Sequence, residues 1–487
     1  MASRWYSVLV KENAYGVLSQ AIMILAGIIF AIVFPRILGP ERFGDFSLVF
    51  ALANLFLFFC EFGLGSALMK LLPSSVVRKD TASYYRFFST LKYVLVVASS
   101  AALFIFSDLL ASSLFRRPDL GLGVRVSALF LFSYSLYGFY DTVLASVKKN
   151  KLVFYLNAVF QSCRIALPLV SYYLYRSYVS VLLGLGLAAL MGFIAGFLLK
   201  RSVRVLEEGR GVLDYRTMKK YFFYGSLGYL GVLFIQWMDS LVIGVFINST
   251  ELAFYRVGVM WMGVVWLFIP FSGRVLLALY SEKTESLEHD KISTVYSYSL
   301  RYSLIIAFLL ITGVWLTSDY FITMLYGMAY EKAVPVVLIM SFLAIESSLN
   351  AINSPLLQGV GRIGAYTKYS LLSGLASIMA AIYASSYGIL GVAAAITAVR
   401  TLFSLLITIY VFEKLKIHPH TAVAAKPVAA SFATVIILWP FKDLVVSPLL
   451  WIGFVAVVVA VYSLCALVLR ALSPSEVRRI LSAVRDR

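Results

Sequence analysis

Charged side chains standing inside long apolar runs carry the chemistry of this sequence. Glu61, Asp141, Arg164, Asp239, Arg256, Glu346 and Arg400 each fall within such a run, as do Gln161, Gln236 and Asn350. At the centre of a bilayer one charge costs about 2.5–3.5 kcal/mol, so each needs a partner, a water-filled cavity or a task. Gln161 with Arg164, Gln236 with Asp239, and Glu346 with Asn350 are three or four residues apart, a spacing that puts each pair on one helix face. Such faces cannot meet lipid and are expected to point into a bundle, toward a cavity between two six-helix lobes. The competing reading pairs Arg164 with Glu61 or Asp141, and Arg400 with Glu346, as ion pairs that lock helices within a lobe. Breaking a buried pair destabilises a protein whatever its role.

The elements that position these residues follow from composition. The chain is 61% hydrophobic and 14% charged, with a mean hydropathy of +0.88, whereas soluble domains are about 25% charged. A bilayer core of roughly 30 Å takes about 20 residues of helix, with every backbone polar group satisfied inside the segment. The apolar runs predict spans at 14–37, 45–71, 89–111, 122–146, 152–175, 178–199, 219–247, 252–280, 295–317, 333–357, 364–385, 388–412, 422–440 and 449–470. The expected fold is an all-α polytopic membrane protein of fourteen transmembrane helices. Loop lengths in the first six spans repeat in the next six, and both sets enter the membrane from the same side. That pattern predicts two six-helix lobes related by a pseudo-two-fold axis along the membrane normal. The lobes would run over 1–199 and 219–412, joined by a basic cytoplasmic linker at 200–218. Two appended helices at 413–470 and a cytoplasmic amphipathic tail at 471–487 complete the chain.

Basic residues set the orientation. Most of the 42 Lys and Arg cluster in every second loop, the positive-inside pattern, and this predicts a multi-pass protein of the cell membrane with both termini cytoplasmic. The net charge of +18 then reports topology and attraction to anionic inner-leaflet lipids, with no nucleic-acid partner implied. Cys60, Cys163 and Cys465 all sit in predicted helices, which speaks against a disulfide framework. The first apolar run is too long for a cleaved signal peptide and reads as a signal anchor.

Other features add detail. Pro168, Pro270 and Pro355 are expected to interrupt helices, and Gly63 and Gly65 beside Ser66 suggest close helix packing. Ser473-Pro474-Ser475-Glu476 reads as a capping box opening a tail helix on the inner membrane surface. His418-Pro419-His420 reads as a cytoplasmic turn rather than a metal site, and Asn248-Ser249-Thr250 is a sequon close to the membrane. No segment outside the spans is long enough to hold a catalytic domain, so an enzyme is not expected.

Specific motifs add a resemblance. Leu38-Gly39-Pro40-Glu41-Arg42-Phe43-Gly44, then Glu61-Phe62-Gly63-Leu64-Gly65-Ser66-Ala67, resemble the opening of the polysaccharide transporter family. This is the O-antigen and oligosaccharide flippase branch of the multidrug/oligosaccharidyl-lipid/polysaccharide exporter superfamily. The resemblance continues at Gln236-Trp237-Met238-Asp239-Ser240-Leu241, Ala253-Phe254-Tyr255-Arg256-Val257-Gly258 and Tyr387-Gly388-Ile389-Leu390-Gly391. It implies a pair of lobes that alternates between inward- and outward-open states and moves a polyprenyl-phosphate- or diphosphate-linked oligosaccharide to the outer leaflet. Glycosyltransferases and a polymerase of a polysaccharide pathway are the partners it implies. Arg164 and Arg400 become the phosphate-binding candidates, with Arg256 and Gln161 beside them, because a guanidinium can hold phosphate oxygens bidentately.

No resident cofactor is expected, but relatives couple export to a cation gradient. Asp239 matches the motif position at which related lipid II flippases place an acidic sodium ligand. Here its oxygen partners would come from Ser373, Ser377 and Thr397, and proton coupling through Glu61, Asp141 or Glu346, with Asn350, is the other option. The runner-up function is a cation-coupled multidrug or toxin exporter of the same superfamily. A non-transporting scaffold of a glycan-assembly complex and a membrane polymerase stand behind it.

Overall fold

The computed structural model describes residues 2–209, 211–265, 276–277, 279–280, 289–417 and 425–471. Pro270, Arg274, the His418–His420 turn and the tail from Ser473 lie outside the described residues. Among the described residues the regular structure is helical and there is no strand. Ten helices are long and apolar enough to cross a membrane, or eleven with one bent pair counted as a span. Two of the ten each join two expected spans: Gly39 at φ +72° divides one, and a tight turn at Ser385–Tyr387 divides the other. The helical multi-span architecture is thus present, and the described residues account for ten or eleven such helices where fourteen spans are expected.

The chain forms two compact units, 1–253 and 254–487. The first contains α1 (Ala2–Glu61), α2 (Leu64–Arg78), α3 (Thr81–Ile105), α4 (Gly121–Ser146), α5 (Asn150–Tyr175), α6 (Tyr178–Lys200), α7 (Tyr215–Gln236) and α8 (Met238–Phe246). The second contains most of α9 (Ser249–Val265), then α10 (His289–Tyr326), α11 (Ala333–Met340), α12 (Leu343–Gly359), α13 (Ile363–Ala384), α14 (Gly388–Leu415), α15 (Ala425–Leu438) and α16 (Pro448–Val468). The compact boundary thus falls at Ala253, beyond the basic 200–218 segment, because α7 and α8 pack on α1 and α2.

Small residues set the first unit's spacing. α6 packs on both α4 and α5, and a Cβ added at Gly184 would lie 2.4 Å from the Pro168 Cα, one at Gly196 2.7 Å from the Tyr140 Cβ. Close approach of this kind replaces hydrophobic drive as the source of helix association in lipid. In the second unit a buried polar network does similar work. The Tyr296 hydroxyl donates to Asn353 Oδ1 at 2.7 Å, and Asn353 Nδ2 donates to Thr408 Oγ1 at 2.8 Å, tying α10, α12 and α14 together. α15 and α16 dock on α10 through Thr312 with Ser431 (2.6 Å) and Tyr462 with the Ile305 carbonyl (2.8 Å).

Helix ends are capped as the sequence chemistry dictates. Ser177, Asp214 and Ser447 accept from backbone N–H groups at the starts of α6, α7 and α16. Asn248 of the sequon does the same for Glu251, so its carbonyl oxygen is engaged as a helix cap. Six non-glycine residues with positive φ are basic: Lys79, Arg116, Lys148, Arg176, Lys416 and Arg470. Several of them close helix C-termini, where a cation complements the helix dipole. The exception is Phe62, at φ +35° beside Glu61.

Two of the three prolines expected to interrupt helices do not do so. Pro168 and Pro355 lie inside continuous helices. The interruptions fall instead at Phe62-Gly63, at Trp237, where α7 and α8 bend by 43°, and at Ser341-Phe342 between α11 and α12. Each of these three lies within a few residues of an acidic side chain: Glu61, Asp239 and Glu346.

Candidate functional site

Gly63 explains the first break. Its φ of +72° is left-handed, and a Cβ there would come 2.2 Å from the Phe222 carbonyl oxygen, so only glycine lets α7 pack this closely. The break leaves Glu61 at the end of α1, facing Lys92 of α3. Lys92 Nζ lies 2.5 Å from Glu61 Oε1 and 3.3 Å from the Cys60 carbonyl oxygen, and the lysine is fully buried. Ser135 of α4 adds a longer contact to the same Oε1. Among the described residues neither Arg164 nor any other arginine forms an ion pair with Glu61. Lys92 was missed in the sequence because it stands only a turn inside the expected span 89–111, close enough to its end to reach water, and its spacing from Arg86 and Tyr85 gives no separate signal.

Asp141 is likewise not held by Arg164. Its Oδ1 accepts from Asn157 Nδ2 at 2.9 Å, and Asn157 Oδ1 in turn accepts from the Tyr137 hydroxyl. Arg164 lies on the same helix face as Gln161, as its spacing predicts, and donates to Gln161 Oε1 at 3.3 Å. Its guanidinium sits 5.1 Å from the Phe30 ring centroid. Among the described residues no carboxylate forms an ion pair with it. The pairing of Arg164 with Glu61 or Asp141 is therefore replaced by two separate carboxylate arrangements and a guanidinium held by an amide and a ring. Tyr134 of α4 is the common neighbour: the charges of Arg164, Glu61 and Asp141 all act on its hydroxyl.

A cavity of about 540 Å³ opens beside this group, lined by Glu61, Ser66, Tyr134, Thr142 and Tyr229, with glycines at 63, 65, 138 and 225. All of it belongs to the first unit. Also in the first unit, Arg117 holds Asp45 through both guanidinium nitrogens (3.1 and 3.3 Å), Asp119 at 2.6 Å and the Ser249 hydroxyl at 3.2 Å. The two carboxylates hold the Arg117 guanidinium even more firmly in its charged form than usual.

The helix 236–239 spacing fails. Trp237 interrupts the helix between Gln236 and Asp239, so the two do not share a continuous face. The buried Asp239 carboxylate accepts from the Ser240 N–H at 2.6 Å and the Ser240 hydroxyl at 3.2 Å. Asp239 is in the first unit, while Ser373, Ser377 and Thr397 are buried in the second. Among the described residues there is no cluster of three or more His, Cys, Asp or Glu able to hold a metal ion.

In the second unit, Asn350 Nδ2 donates to Glu346 Oε1 at 2.6 Å, and the Ser347 hydroxyl reaches Oε2 at 3.3 Å. The predicted shared face is present, and the charge of Arg400 on α14 acts on Glu346. Arg256 is buried on α9. The three cysteines are free thiols.

A helical multi-span scaffold with charged groups inside its spans and broken helices beside its acids defines a membrane transporter class. Comparison with known proteins agrees. A model of the polysaccharide biosynthesis protein family matches residues 9–277, and the chain belongs to this family, the polysaccharide transporter branch of the exporter superfamily. An uncharacterized membrane protein of Methanocaldococcus jannaschii is 25% identical over 477 residues, covering 91% of this chain and 92% of the relative. A probable low-salt glycan biosynthesis flippase of Haloferax volcanii is 24% identical over 181 residues, 37% of this chain and 38% of that protein. Among solved structures, the lipid II flippase MurJ in an inward closed conformation aligns with a TM-score of 0.71 at 14% identity, covering 94% of this chain and 98% of its own. An inward-facing multidrug resistance transporter of the MATE family aligns at 0.67 and 13% identity, covering 82% and 94%. These two likenesses show the fold.

Proposed function

We propose that this protein is a flippase that moves a polyprenyl-phosphate- or diphosphate-linked oligosaccharide from the cytoplasmic to the outer leaflet of the cell membrane by alternating access. The observation that carries the reading is Arg164: a guanidinium inside an apolar span whose neighbours are Gln161 and Phe30, with no carboxylate ion pair among the described residues. A cation kept at bilayer depth without a counter-charge suits an anionic headgroup, which a guanidinium can hold bidentately. Gln161 orients it. Arg400 and Arg256 are further phosphate ligands in this reading, and Asp141, Asp239, or Glu346 with Asn350 carry proton or sodium coupling. Family membership and the glycan flippase among the relatives support the cargo class. The basic residues in every second loop support a cytoplasmic position for both termini in this reading, and enzymes that build and polymerise the glycan would act on either side.

The same fold serves multidrug export, as the likeness to the MATE transporter illustrates, and the alternative reading rests on that likeness. A cationic drug would be repelled by Arg164, whereas a phosphate would be attracted. Reconstitution in liposomes with labelled polyprenyl diphosphate oligosaccharide tests the proposal. Leaflet transfer is expected in the parent protein and is expected to collapse in Arg164→Ala; equal transfer by both, or efflux of organic cations in place of lipid transfer, would refute it.

A further inference from the structure

We infer that the first-unit cavity lined by Glu61, Tyr134 and Tyr229 is a saccharide subsite, in which Glu61 Oε2 accepts a hydrogen bond from a sugar hydroxyl and the two tyrosines supply ring surface. The inference rests on the flippase reading and assigns the part of the cargo that the phosphate ligand leaves unplaced.

Glu61 shows why the ligand is neutral and hydroxylated. One carboxylate oxygen, Oε1, is taken by Lys92 and Ser135. The other, Oε2, has no hydrogen-bond partner among the described residues, and it lies 4.0 Å from the point where a Gly65 Cβ would stand, on the cavity wall. An acceptor aimed into a cavity calls for a donor. A metal ion or an organic cation is a poor candidate, because Lys92 already neutralises the carboxylate from 2.5 Å and would repel a second positive charge. A neutral hydroxyl meets no such repulsion.

The rest of the wall fits the same chemistry. The Tyr134 and Tyr229 hydroxyls have no hydrogen-bond partner among the described residues, and Ser66 and Thr142 add further hydroxyls. Glycines at 63, 65, 138 and 225 keep the space open, and about 540 Å³ is within the roughly 300–1,000 Å³ range of small-molecule sites. Aromatic rings pack well against the C–H faces of a sugar, while its hydroxyls need acceptors and donors at the edge. Tyr134 also connects the two subsites, since the charges of both Arg164 and Glu61 act on it.

The test compares two probes by titration calorimetry on the full-length protein in detergent: a short-chain polyprenyl diphosphate bearing a neutral tetrasaccharide, and the same polyprenyl diphosphate without sugar. Glu61→Gln keeps an oxygen for Lys92 but turns the cavity-facing atom from acceptor to donor. It should weaken the sugar-bearing probe about tenfold or more and leave the bare one unchanged. Gly138→Leu, which leaves the Glu61–Lys92 pair intact and fills the cavity, should do the same. Equal loss of both probes, or loss of neither, in both variants would overturn the subsite. So would a sodium-induced rise in melting temperature that disappears in Glu61→Gln, which would make the site a cation site. Arg164→Ala should weaken both probes; if it weakens neither, the phosphate reading fails while the saccharide comparison still stands on its own result.

Discussion

Lys92 and Glu61 form an ion pair 2.5 Å long in which the lysine is wholly buried and the carboxylate is a quarter exposed. Glu61 also lines the first-unit cavity. Removing the cation should therefore strand a carboxylate inside the fold. Lys92→Met is expected to destabilise the protein by about 3–5 kcal/mol, and the double variant Glu61→Gln with Lys92→Met should recover most of that. Denaturation of the detergent-solubilised variants measures this; additive losses would show that the two groups do not act as a pair.

Arg164 should behave in the opposite way. With no carboxylate to strand among the described residues, Arg164→Ala is expected to change the melting temperature little while reducing transfer of the lipid-linked oligosaccharide by roughly 10- to 150-fold, the value of a hydrogen bond to a charged group. Arg164→Lys should recover part of the transfer, since a point charge replaces a bidentate fork. A large fall in stability with proportionate loss of transfer would instead make Arg164 a packing residue.

Gly184 sets the distance between α6 and α5. A methyl group there would lie 2.4 Å from the Pro168 Cα, and a backbone atom cannot swing aside as a side-chain tip can. Gly184→Ala is expected to cost about 1–3 kcal/mol through overpacking. Gly453→Ala, where no atom lies within 4 Å of an added Cβ, is the control and should be neutral or slightly stabilising. Parallel melting curves decide the matter.

Asn353 satisfies two hydroxyls at once, those of Tyr296 and Thr408. Asn353→Leu should cost about 1–3 kcal/mol for each buried group left without its partner. Adding Tyr296→Phe and Thr408→Val should restore much of the loss, because an apolar trio of similar shape has nothing left to satisfy. Failure of the triple variant to regain stability would mean that packing rather than hydrogen bonding holds α10, α12 and α14.

Asp214 caps α7 from the solvent side, and its hydrogen bonds from Thr217 lower its pKa below the ordinary aspartate range. A carboxylate with a depressed folded pKa contributes stability at pH above the unfolded value and loses it as pH falls through the folded one. The Thr217 amide should therefore lose protection selectively in acid below the usual aspartate range, as read by hydrogen exchange. Asp214→Ala should remove that step, and an unchanged acid profile would show that the cap does not control the helix start.

The helical membrane architecture was legible because an apolar run of membrane length has few alternatives, and the Glu346–Asn350 and Gln161–Arg164 faces were legible because helical spacing fixes them. Gln236 and Asp239 show where that logic stops. Their spacing is helical, but Trp237 ends the helix between them, and no proline announces it. The break at Phe62-Gly63 depends on how closely α7 approaches, which is a tertiary fact. Lys92 was hidden for a related reason. A lysine near the start of a span can reach water or turn inward, and only the location of Glu61 decides which. Positive residues in alternate loops were visible, yet their use as left-handed caps at Lys79 and Lys416 depends on dihedral angles that composition does not encode.

The interruption at Phe62-Gly63 makes one wall of the cavity from the end of one helix and the start of the next instead of from one continuous helix. A continuous rod changes its tilt only by bending along its whole length, against every hydrogen bond it contains. Two helices meeting at a glycine concentrate any change of angle in a few dihedral angles, so each can keep its own hydrogen bonds intact.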